Sequence, residues 1–100
     1  MWYLLVYAVH RFHEQCGRPP TAQDVSGLLG GALCLPDGAE EELRKLADLG
    51  YVEERGGRYV ATETGIGAVA ALMALSNCVR AYAECVDGAI KRLCARKGGR

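Results

Sequence analysis

The residues of this sequence best suited to binding chemistry are two arginines at a tight turn. Arg55 and Arg58 flank Gly56-Gly57, and a glycine pair between two β-prone runs predicts a hairpin because both glycines can adopt positive φ. Two guanidinium groups on a narrow loop suit contact with phosphates or with the minor groove of a nucleic acid. An ordinary charged hairpin turn explains the same pattern, and the sequence leaves both interpretations open.

A second basic pair lies in a stretch that is expected to be helical. Arg44 and Lys45 follow the run Glu40–Glu42, and both could reach phosphates or a guanine edge. Three glutamates suit the positive N-terminus of a helix, but they oppose a phosphate backbone. Glu41 could still accept a hydrogen bond from cytosine N4. Nucleic-acid binding is therefore expected to depend more on the hairpin arginines than on this helix.

No pattern in the sequence predicts catalysis. The chain has no nucleophile elbow, no phosphate-cradling glycine loop and no carboxylate pair beside a histidine. His10, His13 and Cys16 recur at steps of three, which spreads them over about 120° of a helix. A transition-metal site would need a fourth ligand that the sequence does not identify, so solvated histidines are the preferred interpretation. We expect no enzyme activity, no cofactor and no metal.

Five cysteines are many for a chain of 100 residues. An odd number without a CxxC pair argues against a zinc knuckle, and buried free thiols are the default expectation. Alternatively, an antiparallel helix pair could bring Cys78 of one chain to Cys85 of another and form an interchain disulfide. Intracellular disulfides occur in hyperthermophilic archaea. Nine Arg against three Lys, with abundant Ala, fit a GC-rich genome of that kind.

Apolar spacing and capping residues predict three helices before the hairpin. Thr21 is the expected N-cap of helix two. Gly30-Gly31 is expected to end helix two, and Gly50 to end helix three. Thr62 is expected to cap the helix that follows the hairpin. The predicted elements are helix one at 2–16, helix two at 22–29, helix three at 37–49, and strands at 51–55 and 58–62.

The second half of this series resembles winged helix-turn-helix regulators. The residues that carry the resemblance are Leu46, Gly50-Tyr51-Val52, Arg55-Gly56-Gly57-Arg58, Tyr59 and Thr62-Glu63-Thr64-Gly65. The resemblance implies an α+β, mainly α fold in which the hairpin is a two-stranded wing. Aligned to that family, Pro36-Asp37-Gly38-Ala39 corresponds to the start of the recognition helix, which implies that Asp37 is the N-cap of helix three. The resemblance also implies a DNA-binding transcriptional regulator that inserts helix three, at about 37–49, in the major groove and lays its wing, at about 51–62, on the flanking backbone.

The resemblance also implies which residues contact double-stranded DNA. They are Arg44, Lys45, Arg55 and Arg58, with Glu41 and Thr21 as further candidates. The sequence departs from the family pattern by about three additional residues near 31–33, between helices two and three. Such an insertion is expected to tilt helix three and to alter how it enters the groove.

Residues 66 to about 95 are expected to form one long C-terminal helix, because no Pro interrupts them. Apolar residues at heptad spacing run along it. This heptad stripe comprises Leu72, Leu75, Val79, Tyr82, Val86 and Leu93. The stripe could pack on helix one, but a helix about 45 Å long would overhang so small a domain, so a homodimer is preferred. The predicted units are a domain at 1–65, a dimerisation helix at 66–97 and a disordered tail at 98–100.

Charge is distributed unevenly along a chain whose formal net charge is zero. Residues 1–65 carry six Lys/Arg against ten Asp/Glu, whereas residues 66–100 carry six against two. A domain that grips phosphate is usually charged the other way. The alternative function is therefore a winged-helix module that binds protein and not DNA. Without a recognisable secretory signal or membrane-spanning stretch, the chain is expected to be a soluble cytoplasmic protein.

Overall fold

Helices dominate the part of the chain that the structure, a computed structural model, describes: residues 2–32 and 39–98. In chain order the elements are α1 (Trp2–Cys16), α2 (Ala22–Ala32), α3 (Ala39–Leu49), β1 (Val52–Arg55), β2 (Arg58–Ala61), α4 (Glu63–Leu75) and α5 (Asn77–Gly98). The two strands form one antiparallel sheet. The predicted α+β, mainly α class is confirmed at this level.

Helix α1 lies at the centre of the fold, with α3, α4, α5 and β2 packed around it. Its predicted inward residues Leu5, Val9 and Phe12 are buried, and Cys16 packs at the edge of the same cluster. Removing this apolar surface from water is the main favourable contribution to folding. The other elements supply the rest of the core, which includes Val25, Leu28, Leu43, Leu46, Val52, Tyr59, Val69, Val86 and Ile90.

Predicted cap residues lie at the start of α2 and at the end of α3. The Thr21 N–H donates to Asp24 Oδ2 at 3.0 Å, and the Asp24 N–H donates to Thr21 Oγ1 at 3.1 Å. This reciprocal pair satisfies two backbone donors at the start of α2. At the end of α3, Gly50 has a φ of 88°, and the Tyr51 N–H donates to the Leu46 carbonyl at 2.9 Å. A glycine in this conformation turns the chain directly into β1.

The hairpin forms at the predicted glycine pair. Gly56 and Gly57 have φ values of 58° and 85°, and Arg55 lies opposite Arg58 in the strand register. Thr62 then caps α4, since its Oγ1 accepts the Gly65 N–H at 3.1 Å. The hairpin prediction and this cap are confirmed.

Helix α2 is longer than predicted, because it continues through Gly30-Gly31 to Ala32. Each interior glycine costs a helix about 1 kcal/mol, and packing of α2 against α3 and α5 offsets that cost. The prediction that the glycine pair ends the helix is therefore wrong. The expected N-cap Asp37 lies outside the described residues, as does Leu33, whereas the first two residues of the insertion expected near 31–33 belong to α2.

The C-terminal third forms two helices, so the prediction of one uninterrupted helix is wrong. Ser76 separates α4 from α5 with φ −140° and ψ 120°, which is extended backbone. Its Oγ accepts the Val79 N–H at 3.3 Å, so Ser76 acts as the N-cap of α5. A serine that bonds its own backbone competes with helix continuation. The break lets α5 fold back against α1 and α2.

A disulfide joins the end of α1 to the end of α5. Cys16 and Cys94 are bonded across 78 residues of sequence, with their Cα atoms 5.5 Å apart. Cys85 is also disulfide-bonded. The expectation of free buried thiols is therefore wrong for these three cysteines. Disulfides that close long loops restrict the unfolded chain most strongly. This bond therefore favours the folded state, in which α5 is linked to the end of α1.

Candidate nucleic-acid interface

The outward surface of α3 carries the first predicted basic pair. Leu43 and Leu46 are buried beneath it. The side chains between them, Arg44 and Lys45, are 70% and 71% exposed. The alternation follows from the helical period, which turns adjacent positions to different sides. Both cations are therefore open to a large partner.

Each cation of α3 has an acidic neighbour one turn earlier on the helix. Arg44 Nη2 lies 3.5 Å from Glu40 Oε2, and Lys45 Nζ lies 3.7 Å from Glu42 Oε2. Exposed pairs of this kind contribute about 0–1 kcal/mol. Exchanging the carboxylate for a phosphate would therefore cost little free energy. Glu41, which lies between the two acidic partners, is exposed as well.

The hairpin is fastened to the connection between α1 and α2. Thr21 forms an isolated antiparallel bridge with Arg58, and the Tyr59 N–H donates to the Pro20 carbonyl at 2.8 Å. Arg58 Nη1 also donates to the Pro19 carbonyl at 2.6 Å. The bridge adds one residue to the edge of the sheet. As a result the hairpin is held in a defined position beside α2 and α3.

The tip of the hairpin presents Arg55 to solvent. Its side chain is 66% exposed, and its Nη2 lies 2.9 Å from Glu53 Oε1. The Gly57 N–H donates to Glu54 Oε2 at 2.8 Å, which orders the turn. The two hairpin arginines therefore differ in role, because Arg58 braces the hairpin against the α1–α2 connection while Arg55 meets a surface carboxylate.

Acidic residues outnumber basic ones on α3 and the hairpin. The acidic residues of this region are Glu40, Glu41, Glu42, Asp48, Glu53 and Glu54, against Arg44, Lys45, Arg55 and Arg58. The net charge of this surface is therefore negative, so its overall field opposes a polyanion. Any DNA contact must come from a few cations and not from a broad basic surface.

Comparisons of the chain with protein-family models, with curated proteins and with solved structures give no match. The geometry and the sequence alone therefore carry the functional argument. None of the described helices is both long enough and apolar enough to cross a membrane.

Thr21 serves the fold through both its backbone and its side chain. Its hydroxyl oxygen accepts the Asp24 N–H at 3.1 Å, and its backbone bridges Arg58. A hydroxyl that accepts one bond can still donate its hydrogen to a phosphate. Thr21 thus lies beside the braced strand of the hairpin, where the resemblance placed a weaker DNA contact.

The histidine and cysteine series on α1 is divided among other contacts. His10 Nε2 lies 3.5 Å from Glu14 Oε2, and Cys16 is bonded to Cys94. Among the described residues, no group of three or more His, Cys, Asp or Glu side chains is placed to hold a metal. Cys85 is already in a disulfide, which removes its sulfur from the proposed interchain bond, and the Cys78 side chain lies outside the described part.

The heptad stripe divides between the chain's own core and its surface. Val79 and Val86 are buried within the single chain, and Leu93 is partly buried against the core cluster. Leu75 and Tyr82 are exposed, and Leu72 is half-buried. Packing on α1 was the alternative explanation of the stripe, and α5 does pack there.

Two features between α1 and its neighbours were not evident from the sequence. The Tyr7 hydroxyl donates to Asp87 Oδ2 at 2.7 Å, and Arg11 Nε donates to Asp87 Oδ1 at 3.0 Å. Burial is the largest cause that raises the pKa of Tyr7, to about 12, and this hydrogen bond is the next.

The second feature is an open apolar groove of about 120 Å³ between α1 and α4, lined by Val6, Tyr7, His10, Ile66, Val69, Ala70 and Met73. The residues in these contacts lie far apart in the sequence, so no local sequence pattern predicts them.

Proposed function

We propose that this chain is a DNA-binding transcriptional regulator of the winged helix-turn-helix type that acts as a homodimer in the cytoplasm. In this proposal α3 enters the major groove, and the hairpin is the wing that lies on the adjacent backbone. The observation that carries it is the bridge between Thr21 and Arg58. The bridge fixes a hairpin with an exposed arginine beside a helix with two exposed cations, which is the arrangement that two-point contact with a duplex requires.

The residues proposed to contact DNA divide into reading and positioning roles. In this proposal Arg44 and Lys45 on α3 contact phosphates or guanine edges, and Arg55 contacts the backbone or the minor groove. Arg58 holds the hairpin through its bond to the Pro19 carbonyl. On binding DNA, these exposed cations would lose only weak ion pairs at the surface.

The salt dependence of duplex binding tests the proposal. We expect the oxidised protein to bind mixed-sequence duplexes at low salt. Affinity should fall by about one decade per decade of salt for each phosphate contact. Fluorescence anisotropy at several salt concentrations between about 50 and 200 mM gives this slope. No measurable binding at the lowest salt would refute the proposal.

Single substitutions locate the contact on the molecule. Arg55→Ala should weaken binding to all duplexes similarly and reduce the salt slope by about one per chain. The matched control is Arg80→Ala, which removes an exposed arginine of α5 and should leave the slope unchanged. Equal effects of the two substitutions would remove the hairpin from the mechanism. Arg58→Ala is unsuitable as the first test, because it also loosens the hairpin.

The second candidate function is a protein-interaction module of the same fold. The excess of acidic side chains on α3 and the hairpin favours it, because such a surface suits a basic protein partner. The duplex measurement separates the two functions, since an interaction module would leave the DNA unbound at every salt concentration. Salt-dependent duplex binding that Arg55→Ala weakens would exclude it as the main function.

A further inference from the structure

The structure leaves an apolar helix uncovered on one side. Between Thr64 and Leu75, α4 contains no charged residue. Yet of its residues, all of which the structure describes, Gly65 and Val69 are the buried ones. A helix that is apolar on all sides is normally buried on all sides. The exposed surface, which we call the α4 face, comprises Gly67, Ala70, Ala71, Ala74 and Leu75.

We propose that the α4 face is covered by the α4 face of a second copy of this chain. Small residues occupy most of it, so two such helices can approach closely, near the shorter end of the 8–10 Å typical of packed helices. Leu75, at the edge of the face, is 85% exposed and covers apolar surface of the partner. The groove beside α4, with Ile66 and Met73 in its wall, extends the apolar area.

The absence of charge on the α4 face suits a second copy as the occupant. A two-fold axis places like residues near each other, so charged residues on such a face would repel their own symmetry mates. The α4 face has none, and the formal net charge of the chain is zero, so no long-range repulsion opposes association. A lipid surface fits less well, because interfacial helices carry Lys or Arg beside their apolar face, whereas α4 carries neither.

The surface differs from the heptad stripe that predicted a dimer. Val79 and Val86 of that stripe are buried inside the chain, whereas Leu75 is shared by the stripe and the α4 face. A 13-residue helix is about 20 Å long, and one such helix covers less than the roughly 800 Å² per partner of standard interfaces. We therefore expect a dissociation constant in the micromolar range, about 1–100 µM.

Sedimentation velocity of the oxidised chain at about 1–200 µM, a range that brackets this constant, tests the proposal. The wild type should shift from monomer to dimer with concentration. Ala71→Glu places two carboxylates near the two-fold axis and should weaken association at least tenfold. The control Ser26→Glu adds the same charge to an exposed position of α2 and should leave association unchanged. A wild type that stays monomeric throughout overturns the proposal, as does an Ala71→Glu variant that dimerises like the wild type.

A charge-complementation experiment guards against misfolded variants. Ala71→Glu and Ala71→Lys should each be monomeric alone and should form a heterodimer when mixed. A mixture that stays monomeric, although both variants have the wild-type circular dichroism, overturns the proposal. So does a monomeric wild type that instead binds phosphatidylcholine vesicles. The inference rests on the homodimer of the proposed function, but the test contains no DNA, so its failure and a failure of duplex binding are distinguishable.

Discussion

The two arginines of the hairpin have different surroundings although they are neighbours across one turn. Arg58 donates to a backbone carbonyl of the α1–α2 connection at 2.6 Å, whereas Arg55 lies 2.9 Å from a carboxylate of its own strand. The first contact links elements that are distant in sequence, and the second links near neighbours. Loss of Arg58 therefore affects the position of the hairpin, while loss of Arg55 affects its charge. This difference decides how substitutions in the hairpin should be interpreted.

Tyr7 is expected to titrate at unusually high pH. Burial and the hydrogen bond to Asp87 raise its pKa from the ordinary value of 10 to about 12. The folded state therefore keeps the phenol protonated in a range where the unfolded state loses the proton. The stabilising effect is complete below about pH 10 and is lost as the pH rises through 12. An ultraviolet titration of phenolate absorbance measures this step.

Substitutions assign the high-pH step to Tyr7. The step near pH 12 should disappear in Tyr7→Phe and persist in the control Tyr82→Phe, which removes an exposed phenol. Asp87→Asn should lower the pKa of Tyr7, because it removes the carboxylate that accepts its hydrogen bond. A step that Tyr7→Phe leaves unchanged would contradict the assignment.

Residues whose role is local could be predicted from the sequence. Thr21, Gly50 and Thr62 act within a few positions of themselves as caps, so their surroundings are part of the local pattern. The bond between Cys16 and Cys94 joins residues 78 positions apart. No spacing rule gives such a pairing, because connectivity depends on how the helices pack.

At the scale of elements, α4 approaches α1 and the residue that precedes β1 most closely at a glycine. A side chain at Gly65 would collide with the Tyr51 carbonyl oxygen and would press on the Val6 side chain. The hydroxyl of Thr62 also donates to the Gly50 carbonyl at 2.6 Å, which fixes the approach of α4 to the hairpin. The N-terminal turn of α4 is thus determined by backbone contact and not by a large apolar side chain.

Two glycines of α4 should respond oppositely to the same substitution. Gly65→Ala should lower the free energy of unfolding by about 1–3 kcal/mol, because overpacking against backbone cannot relax cheaply. Gly67→Ala should leave it unchanged or raise it by up to about 1 kcal/mol, since no atom lies within 4 Å of the added methyl group. Urea unfolding at one low protein concentration compares the two. Equal losses would contradict the close contact at Gly65.

The break at Ser76 shows which element boundaries the sequence leaves open. Apolar residues at heptad spacing continue across Ser76, so the pattern predicts a single helix. The serine cap gives a local alternative, and packing of α5 on α1 favours it. Tertiary packing therefore determines where α4 ends, which the spacing of apolar residues alone could not predict. Two residues of the heptad stripe, Val79 and Val86, are indeed buried. The surface that buries them, however, belongs to the same chain.

At the scale of the whole molecule, the excess of acidic charge in the first two-thirds surrounds the few cations proposed to contact DNA. Glu40 and Glu42 lie beside Arg44 and Lys45, and Glu53 lies beside Arg55. The carboxylates lower the positive potential that a phosphate would meet. In the proposed function they reduce affinity for all duplexes, which leaves specificity to a small number of base contacts.

Neutralising the start of α3 should therefore strengthen duplex binding. The combined change Glu40→Gln, Glu41→Gln and Glu42→Gln releases two cations and removes three charges that oppose phosphate. At about 0.5 kcal/mol for each charge, the affinity at low salt should rise by about tenfold for each chain of the dimer that contacts the duplex. Folding stability should fall slightly, because each glutamate favours the positive end of the helix by about 0.3–1 kcal/mol. Anisotropy titration with the same mixed-sequence duplex measures the affinity.

The control for this change is Glu84→Gln, which removes one exposed carboxylate from α5 and should alter binding little. A tighter complex for the triple substitution with an unchanged control would mean that the glutamates face the duplex and only oppose it. A weaker complex would mean that at least one of them accepts a hydrogen bond from a base, and Glu41 is the one without a cation of α3 assigned to it. Restoring Glu41 alone in the triple variant should then recover binding to cytosine-containing sites.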